Sequence, residues 1–178
     1  MNEETLKHTP VLLDEVINAI NPQSGKLYFD ATFGWGGYSE KLLDTCACKV
    51  IAIDQDPSVK DKASELKKKY GDRFNFIESK FSEITTVLKK MDINKVDGFM
   101  FDIGVSSMQL DTSDRGFSFN KEGPLDMRMS SSGKTAAELI SSIQEETLAD
   151  IIYNYGDERK SRKIAKFIMK HSRQAVEI

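Results

Sequence analysis

A glycine-rich turn and the acids around it are the groups best suited to chemistry in this sequence. Gly34-Trp35-Gly36-Gly37 follows the apolar run Lys26–Asp30 and precedes a helical pattern. Glycine lets the backbone approach a ligand closely and permits positive φ. The next apolar run, Lys49–Asp54, ends on a carboxylate that could accept both hydroxyls of a ribose. The pattern predicts a nucleoside site, and an ordinary tight strand–helix connection is the alternative.

Asp30 helps to decide which nucleoside such a site would bind. In dinucleotide sites the first glycine follows the strand almost at once, because the pyrophosphate sits on the helix N-terminus. Here Asp30 ends the strand and several residues separate it from Gly34. An acid at that point repels a pyrophosphate but can serve an aminoacyl ammonium. The sequence therefore favours S-adenosylmethionine over NAD.

Asp102 is the candidate catalytic residue. It lies near the end of a fourth apolar run, Val96–Ile103, and so at the same edge of the expected sheet. Methyl transfer from S-adenosylmethionine is an in-line displacement in which positioning dominates, so a carboxylate at this edge could position the group that accepts the methyl. Contact with the cofactor, or capping of the following turn, is the alternative role of Asp102.

Strand and helix signals alternate along the first hundred residues and predict a parallel sheet with helices on both faces. The strand-like runs are Lys26–Asp30, Lys49–Asp54, Phe74–Glu78 and Val96–Ile103. One helical face carries Val59, Ala63, Leu66 and Tyr70, and a second carries Ile84, Val87, Leu88 and Met91. Phe81, after the third run, suits either the core or stacking on an adenine.

Residues 104–133 show no predicted helix or strand, and so long an irregular stretch is more often functional than incidental. Its segment Arg115–Met129 alternates large apolar groups with charges. That composition suits stacking on an unpaired or flipped base, or alternatively a plug that fastens the segment to the sheet. Helical signals return at Thr135. Arg159–Arg173 then holds seven bases and no acid, which favours either a phosphate-contacting helix or a solvated face.

Composition narrows the classes of protein that remain. The chain has 178 residues, of which 39% are hydrophobic and 30% charged, as in ordinary globular proteins. No apolar run is long enough for a membrane span, and the cytoplasm is the expected location. Cys46 and Cys48 lack the partners of a zinc site, so no metal site is predicted. Histidine-based catalysis is disfavoured because only His8 and His171 are present.

Several motifs together resemble one family. They are His8–Leu13, Asp30–Gly37, Asp54–Pro57, Asp97–Asp111, Arg115–Phe119, Gly123–Met129 and Tyr155–Arg159. The sequence resembles the bacterial 16S (small-subunit) rRNA cytosine-N4 methyltransferases over essentially the whole chain to about Lys170. The block from Asp102 to Met129 is the most specific part of the match.

The resemblance implies an α/β fold: a Rossmann-like S-adenosylmethionine-dependent methyltransferase core followed by a helical insertion. It also implies cofactor contacts at Gly36, Gly37, Tyr38, Asp54, Phe81, Asp102 and Gln109. Asp30 and Gly34, from the turn itself, complete the predicted cofactor site. Tyr38 stands where the family usually has histidine and retains an aromatic ring. The implied substrate is a cytidine in the decoding region, presented by small-subunit ribosomal RNA or the assembled small subunit. For that substrate, Asp102 would accept the N–H protons of the exocyclic amine and hold the angle of attack.

The predicted organisation has three segments: the core at 1–104, a substrate loop at 105–133 and part of a helical insertion at 134–178. Only four strand signals occur where the methyltransferase fold usually has seven. We therefore expect a truncated family member, which is either a fragment or a chain whose exposed fourth strand is covered by homodimerisation. A catalytically inactive remnant that binds RNA or cofactor is the alternative function.

Overall fold

The computed structural model describes residues 10–175, with side chains as far as His171. His8 and Thr9 of the N-terminal motif and the side chain of Arg173 lie outside the described residues. The chain divides into two compact units, residues 1–107 with 129–131 and residues 108–128 with 132–178. The three-segment organisation inferred from the sequence stays a prediction. No helix in the described part of the chain is long and apolar enough to cross a membrane.

The first unit is built on a parallel four-stranded sheet with strand order β3-β2-β1-β4. The strands are β1 (Leu27–Asp30), β2 (Lys49–Asp54), β3 (Phe74–Glu78) and β4 (Gly98–Met100). The predicted Rossmann-like α/β fold is confirmed, but the predicted extent of the fourth strand, Val96–Ile103, is wrong. β4 ends at Met100 because its neighbour β1 ends at Asp30, the residue paired with Met100.

The described part of the first unit contains the helices α1 (Leu13–Ile20), α2 (Gly37–Thr45), α3 (Lys60–Tyr70) and α4 (Ile84–Lys90). Short 3-10 turns at Pro57–Val59 and Phe81–Glu83 lead into α3 and α4. Successive residues of β2, such as Val50 and Ile51, are both buried, so the sheet is covered on both faces. One face packs Phe29, Ile51 and Ile53 against Val87 of α4. Because the strands are parallel, their carboxyl ends lie at the same edge of the sheet.

The segment 104–133 contains α5 (Ser107–Asp111) and a 3-10 turn at Ser113–Arg115, so the expectation of no helix there is wrong. A helix this short lacks the periodic spacing that predicts one. Backbone contacts between residues of this segment hold the rest of it together within the second unit. Gly116 has a φ of +70°, and a Cβ there would lie 2.2 Å from the carbonyl oxygen of Pro124. The Met127 N–H donates to the Arg115 carbonyl oxygen at 3.0 Å.

The second unit ends in three helices, α6 (Ala136–Ser142), α7 (Glu145–Gly156) and α8 (Ser161–Ala175). A capping box begins α6, because the Thr135 hydroxyl accepts from the Glu138 N–H and the Glu138 carboxylate accepts from the Thr135 N–H. α7 and α8 pack through a buried cluster. Its members are Leu148, Ala149, Ala165 and Met169.

Candidate active site

The glycine turn after β1 has the positive φ values that its glycines permit, and the predicted cofactor contacts of Gly36 and Gly37 stay predictions. Gly34 and Gly36 have φ values of +50° and +73°. A Cβ on Gly36 would lie 2.7 Å from the Phe33 ring, and one on Gly37 would lie 2.2 Å from Cγ of Pro10. Beside Gly34, by contrast, no atom lies within 4 Å of the corresponding position. The turn is therefore packed against the protein at Gly36 and Gly37 and open at Gly34.

Asp54, at the end of β2, holds this turn directly. Its Oδ2 accepts a hydrogen bond from the Gly34 N–H at 2.8 Å, and its Oδ1 accepts from the Asp56 N–H at 2.9 Å. Burial raises the pKa of Asp54, while the backbone N–H groups oppose that rise. Each carboxylate oxygen can accept more than one hydrogen bond, so both retain capacity for a ligand. Asp54 fits the predicted ribose-binding position and also fixes the turn.

Asp30 is completely buried beneath the same turn. Its carboxylate accepts from the Ser39 hydroxyl at 2.7 Å and from the Thr32 N–H at 3.2 Å. Burial raises the pKa of Asp30 to about 6, and the carboxylates of Asp54 and Asp102 contribute to the rise. The hydrogen bonds give Asp30 a positioning role, since they join the end of β1 to α2. Direct contact between Asp30 and the cofactor stays a prediction.

Asp102 is connected to the turn through its backbone. The Asp102 N–H donates to Oγ1 of Thr32 at 2.7 Å, and the Asp102 side chain is exposed. The carboxylates of Asp54 and Asp102 both raise the pKa of Asp30, so both lie close enough to act on it electrostatically. The carboxyl edge of β1, β2 and β4 is therefore negatively charged. Among residues 10–175, however, no three potential ligands are grouped as a metal site.

Tyr38, in the first turn of α2, is buried and ties that helix to the N-terminal segment. Its hydroxyl donates to the Val11 carbonyl oxygen at 2.5 Å. Burial raises the pKa of Tyr38, and the carboxylates of Asp102 and Asp30 add to the effect. The phenol is thus kept neutral as a donor beside the acidic edge. The predicted contact between Tyr38 and the cofactor stays a prediction.

An aromatic surface flanks the acids. The ring of Phe81 lies edge-on to that of Phe101, with centroids 6.5 Å apart, and Phe101 stacks on Phe99 at 6.2 Å. Phe81 is 45% exposed and Phe101 is 49% exposed. The core role considered for Phe81 is therefore wrong. The exposed ring is available to a flat ligand such as an adenine.

A cavity of about 430 Å³ lies beside Asp102 and Tyr38. This volume falls within the usual range of small-molecule sites. Residues of α1 and β4 complete its lining, which includes Val11, Leu12, Met100 and Phe101. A largely apolar lining that also includes the Asp102 carboxylate and the Tyr38 phenol suits a partly apolar ligand that carries positive charge.

The sequence analysis also singled out Gln109 and the segment that ends at Met129. Gln109, on α5, belongs to the second unit and is buried, and its cofactor role stays a prediction. Met129 belongs to the first unit, where its sulfur accepts from Nε2 of Gln55 at 3.4 Å. This contact, next to Asp54, supports the interpretation that Met129 fastens the end of its segment.

Three residues with clear roles were not assigned from the sequence. Thr32 joins the backbone of Asp102 to the turn, Ser39 satisfies the buried Asp30 carboxylate, and Phe101 pairs with Phe81. Thr32 and Ser39 lie in the predicted turn, but their hydroxyls carry no distinctive spacing. Phe101 was placed inside a strand, which obscured its exposure.

A glycine turn, an acid closing the second strand and a parallel sheet ordered 3-2-1-4 define a Rossmann-like methyltransferase fold. A sequence model of the MraW methylase family matches residues 5–177, and the chain belongs to that family.

Curated relatives agree with this assignment. The protein called "Ribosomal RNA small subunit methyltransferase H" from Maricaulis maris (strain MCS10) is 53% identical over 161 residues, covering 90% of this chain and 48% of the relative. Proteins of the same name from Rickettsia massiliae (strain Mtu5) and Rickettsia felis (strain ATCC VR-1525 / URRWXCal2) are 49% and 51% identical, covering 94% and 92% of this chain. The chain spans about half the length of these relatives.

Proposed function

We propose that this chain binds S-adenosylmethionine at the carboxyl edge of its sheet and serves the N4-methylation of a cytidine in the decoding region of small-subunit ribosomal RNA. The observation that carries the proposal is the mutual placement of Asp30, Asp54 and Asp102 around the glycine turn. Negative charge at this edge favours a ligand with a sulfonium and an ammonium group. It disfavours the pyrophosphate of NAD for the same reason.

The residues present fit such a cofactor. The open side of Gly34 leaves room for a ligand next to the backbone, and the Asp54 oxygens retain capacity for ribose hydroxyls. Phe81 offers an exposed ring for the base. Asp30 stabilises the positive end through space, because its side chain is buried and its oxygens are already hydrogen-bonded.

When bound, S-adenosylmethionine supplies a methyl group on a positively charged sulfur, which a nucleophilic nitrogen can attack. The exocyclic amine of cytosine is a weak nucleophile, because its lone pair is delocalised into the ring. The exposed carboxylate of Asp102 would accept an N–H of that amine, orient its lone pair and receive the proton that the nitrogen loses. The hydrogen bond from the Asp102 N–H to Oγ1 of Thr32 fixes the backbone of Asp102 relative to the glycine turn. A contact between Asp102 and the cofactor is the alternative role.

The choice of RNA as substrate rests on similarity. The relatives that match most of this chain are named as ribosomal RNA small-subunit methyltransferases. The motif block from Asp102 to Met129 resembles the cytosine-N4 family in particular. Together these similarities support the nucleotide and the amine nitrogen that we propose.

Transfer of labelled methyl groups to undermethylated small ribosomal subunits tests the proposal. We expect label in ribosomal RNA, and digestion to nucleosides should place it in N4-methylcytidine. Asp102→Ala should abolish transfer, whereas the exposed Asp72→Ala, which removes an equal charge at the opposite end of the sheet, should not. Retained cofactor affinity in Asp102→Ala would assign the residue to the amine, and lost affinity would assign it to the cofactor.

The competing function is a remnant that binds cofactor or RNA without turnover. Cofactor binding with no transfer to any form of the small subunit would favour the remnant.

We also propose that a second copy of the chain covers the edge of β4 in a homodimer. Among the described strands β4 pairs only with β1, which leaves its other edge free. Light scattering of the purified chain measures whether it forms a homodimer.

A further inference from the structure

Helix α8 carries an exposed apolar stripe on the side that does not pack against α7. Ala165 and Met169 are buried in the helix pair. Ile164, Phe167 and His171 follow the spacing i, i+3, i+7 on a different face, and Phe167 is 64% exposed. Phe167 does not belong to the buried cluster of α7 and α8. Neighbouring exposed apolar side chains, in contrast to a single one, mark an interaction surface.

The exposed ring of Phe167 is also held in place. Its centroid lies 4.0 Å from that of His171, and Nδ1 of His171 donates to the Phe167 carbonyl oxygen at 2.8 Å. The two rings are inclined by 34°, so they form a continuous, tilted surface. A fixed aromatic surface binds a flat partner with little loss of side-chain entropy.

A row of positive charges runs alongside this stripe. Lys163, Lys166 and Lys170 repeat the i, i+3, i+7 spacing, and all three are exposed. Within the part of the chain that the structure describes, none of them forms an ion pair. The nearby Arg162 approaches Asp150 at 3.7 Å, but both side chains are largely exposed and such a pair is weak. The lysine row spans roughly 10 Å along the helix axis, from seven residues at about 1.5 Å each.

We propose that this face of α8, the row of three lysines beside the Phe167–His171 pair, binds single-stranded RNA. The lysines would contact successive phosphates, and Phe167 would stack on an unpaired base. Lysine is depleted in the cores of protein–protein interfaces, so an apolar stripe bordered by unpaired lysines fits a polyanion better than a protein. The inference rests on the proposed function, because the RNA is taken to be the methylation substrate.

The test is fluorescence anisotropy of the whole chain with a labelled single-stranded RNA of about 12 nucleotides, within the usual site size. Lys163→Gln/Lys166→Gln/Lys170→Gln should weaken binding and reduce the slope of log K against log salt by about 2, at about 0.7 per phosphate contact. The matched control is Lys89→Gln/Lys90→Gln/Lys95→Gln, which removes three exposed lysines from the first unit. The control should bind nearly as the unmodified chain does.

Substitutions of Phe167 distinguish stacking on a base from simple apolar contact. Phe167→Leu keeps an apolar side chain but removes the ring, and should weaken binding about fivefold or more, whereas Phe167→Trp should restore it. Circular dichroism should show that every variant keeps its helices, because the replaced side chains are exposed. A duplex of the same sequence should bind more weakly, since its bases are already stacked.

Two outcomes would overturn the proposal. One is equal RNA affinity and salt dependence in the unmodified chain and in both α8 variants. The other is a dimer that Phe167→Leu dissociates, which would assign this face to a second copy of the chain. Titration of the same samples with S-adenosylmethionine distinguishes failure of the α8 proposal from failure of the proposed function. Absence of cofactor binding would contradict the proposed function and leave the α8 result standing.

Discussion

The Asp54 carboxylate accepts a hydrogen bond from the Gly34 N–H at 2.8 Å, so the end of β2 fixes the turn that follows β1. The same carboxylate accepts from the Asp56 N–H and begins the connection to α3. Asp54 thus joins two loops at the carboxyl edge of the sheet. The Asp54 side chain therefore shapes the turn and is also the group predicted to bind the ribose.

The first prediction concerns Asp54→Ala. The substitution removes an acceptor for ribose hydroxyls and leaves the Gly34 and Asp56 N–H groups without their partner. Hydrogen bonds to a charged group contribute about 1.5–3 kcal/mol each, so affinity for S-adenosylmethionine should fall by about tenfold or more. Isothermal titration calorimetry measures this change.

Two control variants are needed to interpret the affinity of Asp54→Ala for S-adenosylmethionine. Asp72→Ala removes an exposed acid at the opposite end of the sheet and should leave the affinity unchanged. Asp54→Asn retains an amide oxygen as acceptor and should recover more of the thermal stability than of the affinity. An Asp54→Ala chain that binds the cofactor as tightly as the unmodified chain would refute the ribose role.

The second prediction concerns Gly37→Ala. Alanine is favoured over glycine in a helix interior by about 1 kcal/mol, which is an upper bound on the stabilisation of α2 at Gly37, its first residue. A Cβ at Gly37 would, however, lie 2.2 Å from Cγ of Pro10, and relief of such overlap typically costs about 1–3 kcal/mol. We expect net destabilisation in urea unfolding. Gly104→Ala, where no atom lies within 4 Å of the new Cβ, is the control, and a more stable Gly37→Ala chain would contradict the packing described.

The third prediction is a pH dependence caused by Asp30. Because burial raises the pKa of Asp30 from 3.8 to about 6, the folded chain binds more protons than the unfolded chain between these values. The contribution of Asp30 to the free energy of unfolding therefore falls as the pH rises through this window, by about 3 kcal/mol in all. Asp30→Asn lacks this dependence and can still bond to Thr32 and Ser39.

Urea unfolding at pH 4 and pH 7 measures the effect. The stability of Asp30→Asn relative to the unmodified chain should increase between the two values, since the other titrating groups are common to both chains. A difference that does not change with pH would mean that Asp30 titrates as an ordinary exposed acid.

The fourth prediction concerns the loop of the second unit. Arg128 donates from Nε to Oδ1 of Asp126 at 2.9 Å and from a terminal nitrogen to Oδ2 at 2.6 Å. The Arg128 guanidinium lowers the pKa of Asp126 to about 2. A lowered pKa means that stabilisation is fully present above about pH 4 and is lost as the pH falls toward 2. Asp126→Asn should thus be less stable than the unmodified chain at pH 7, with a difference that shrinks in acid. Thermal unfolding followed by circular dichroism measures that difference.

The sheet and its flanking helices could be predicted because their signals are local. Apolar runs ending on Asp30 and Asp54 marked two strand ends, and the spacing of Val59, Ala63 and Leu66 marked α3. The glycine turn was predictable for the same reason. Positive φ and close packing at Gly36 leave glycine as the residue that fits.

What the sequence did not predict depends on contacts between distant residues. The end of β4 is set by the length of β1, which periodicity within Val96–Ile103 cannot indicate. The burial of Asp30 depends on Ser39 and Thr32, whose hydroxyl and N–H make an ionisable group tolerable inside the protein. The exposure of Phe81 likewise follows from its position after β3 and not from its residue type.

We propose that the acidic edge around the glycine turn selects a positively charged nucleoside. Parallel calorimetric titrations of the unmodified chain with S-adenosylmethionine and with NAD test this selectivity. We expect saturable binding of S-adenosylmethionine, weakened by Asp54→Ala, and little or no heat with NAD. Tighter binding of NAD than of S-adenosylmethionine would contradict it.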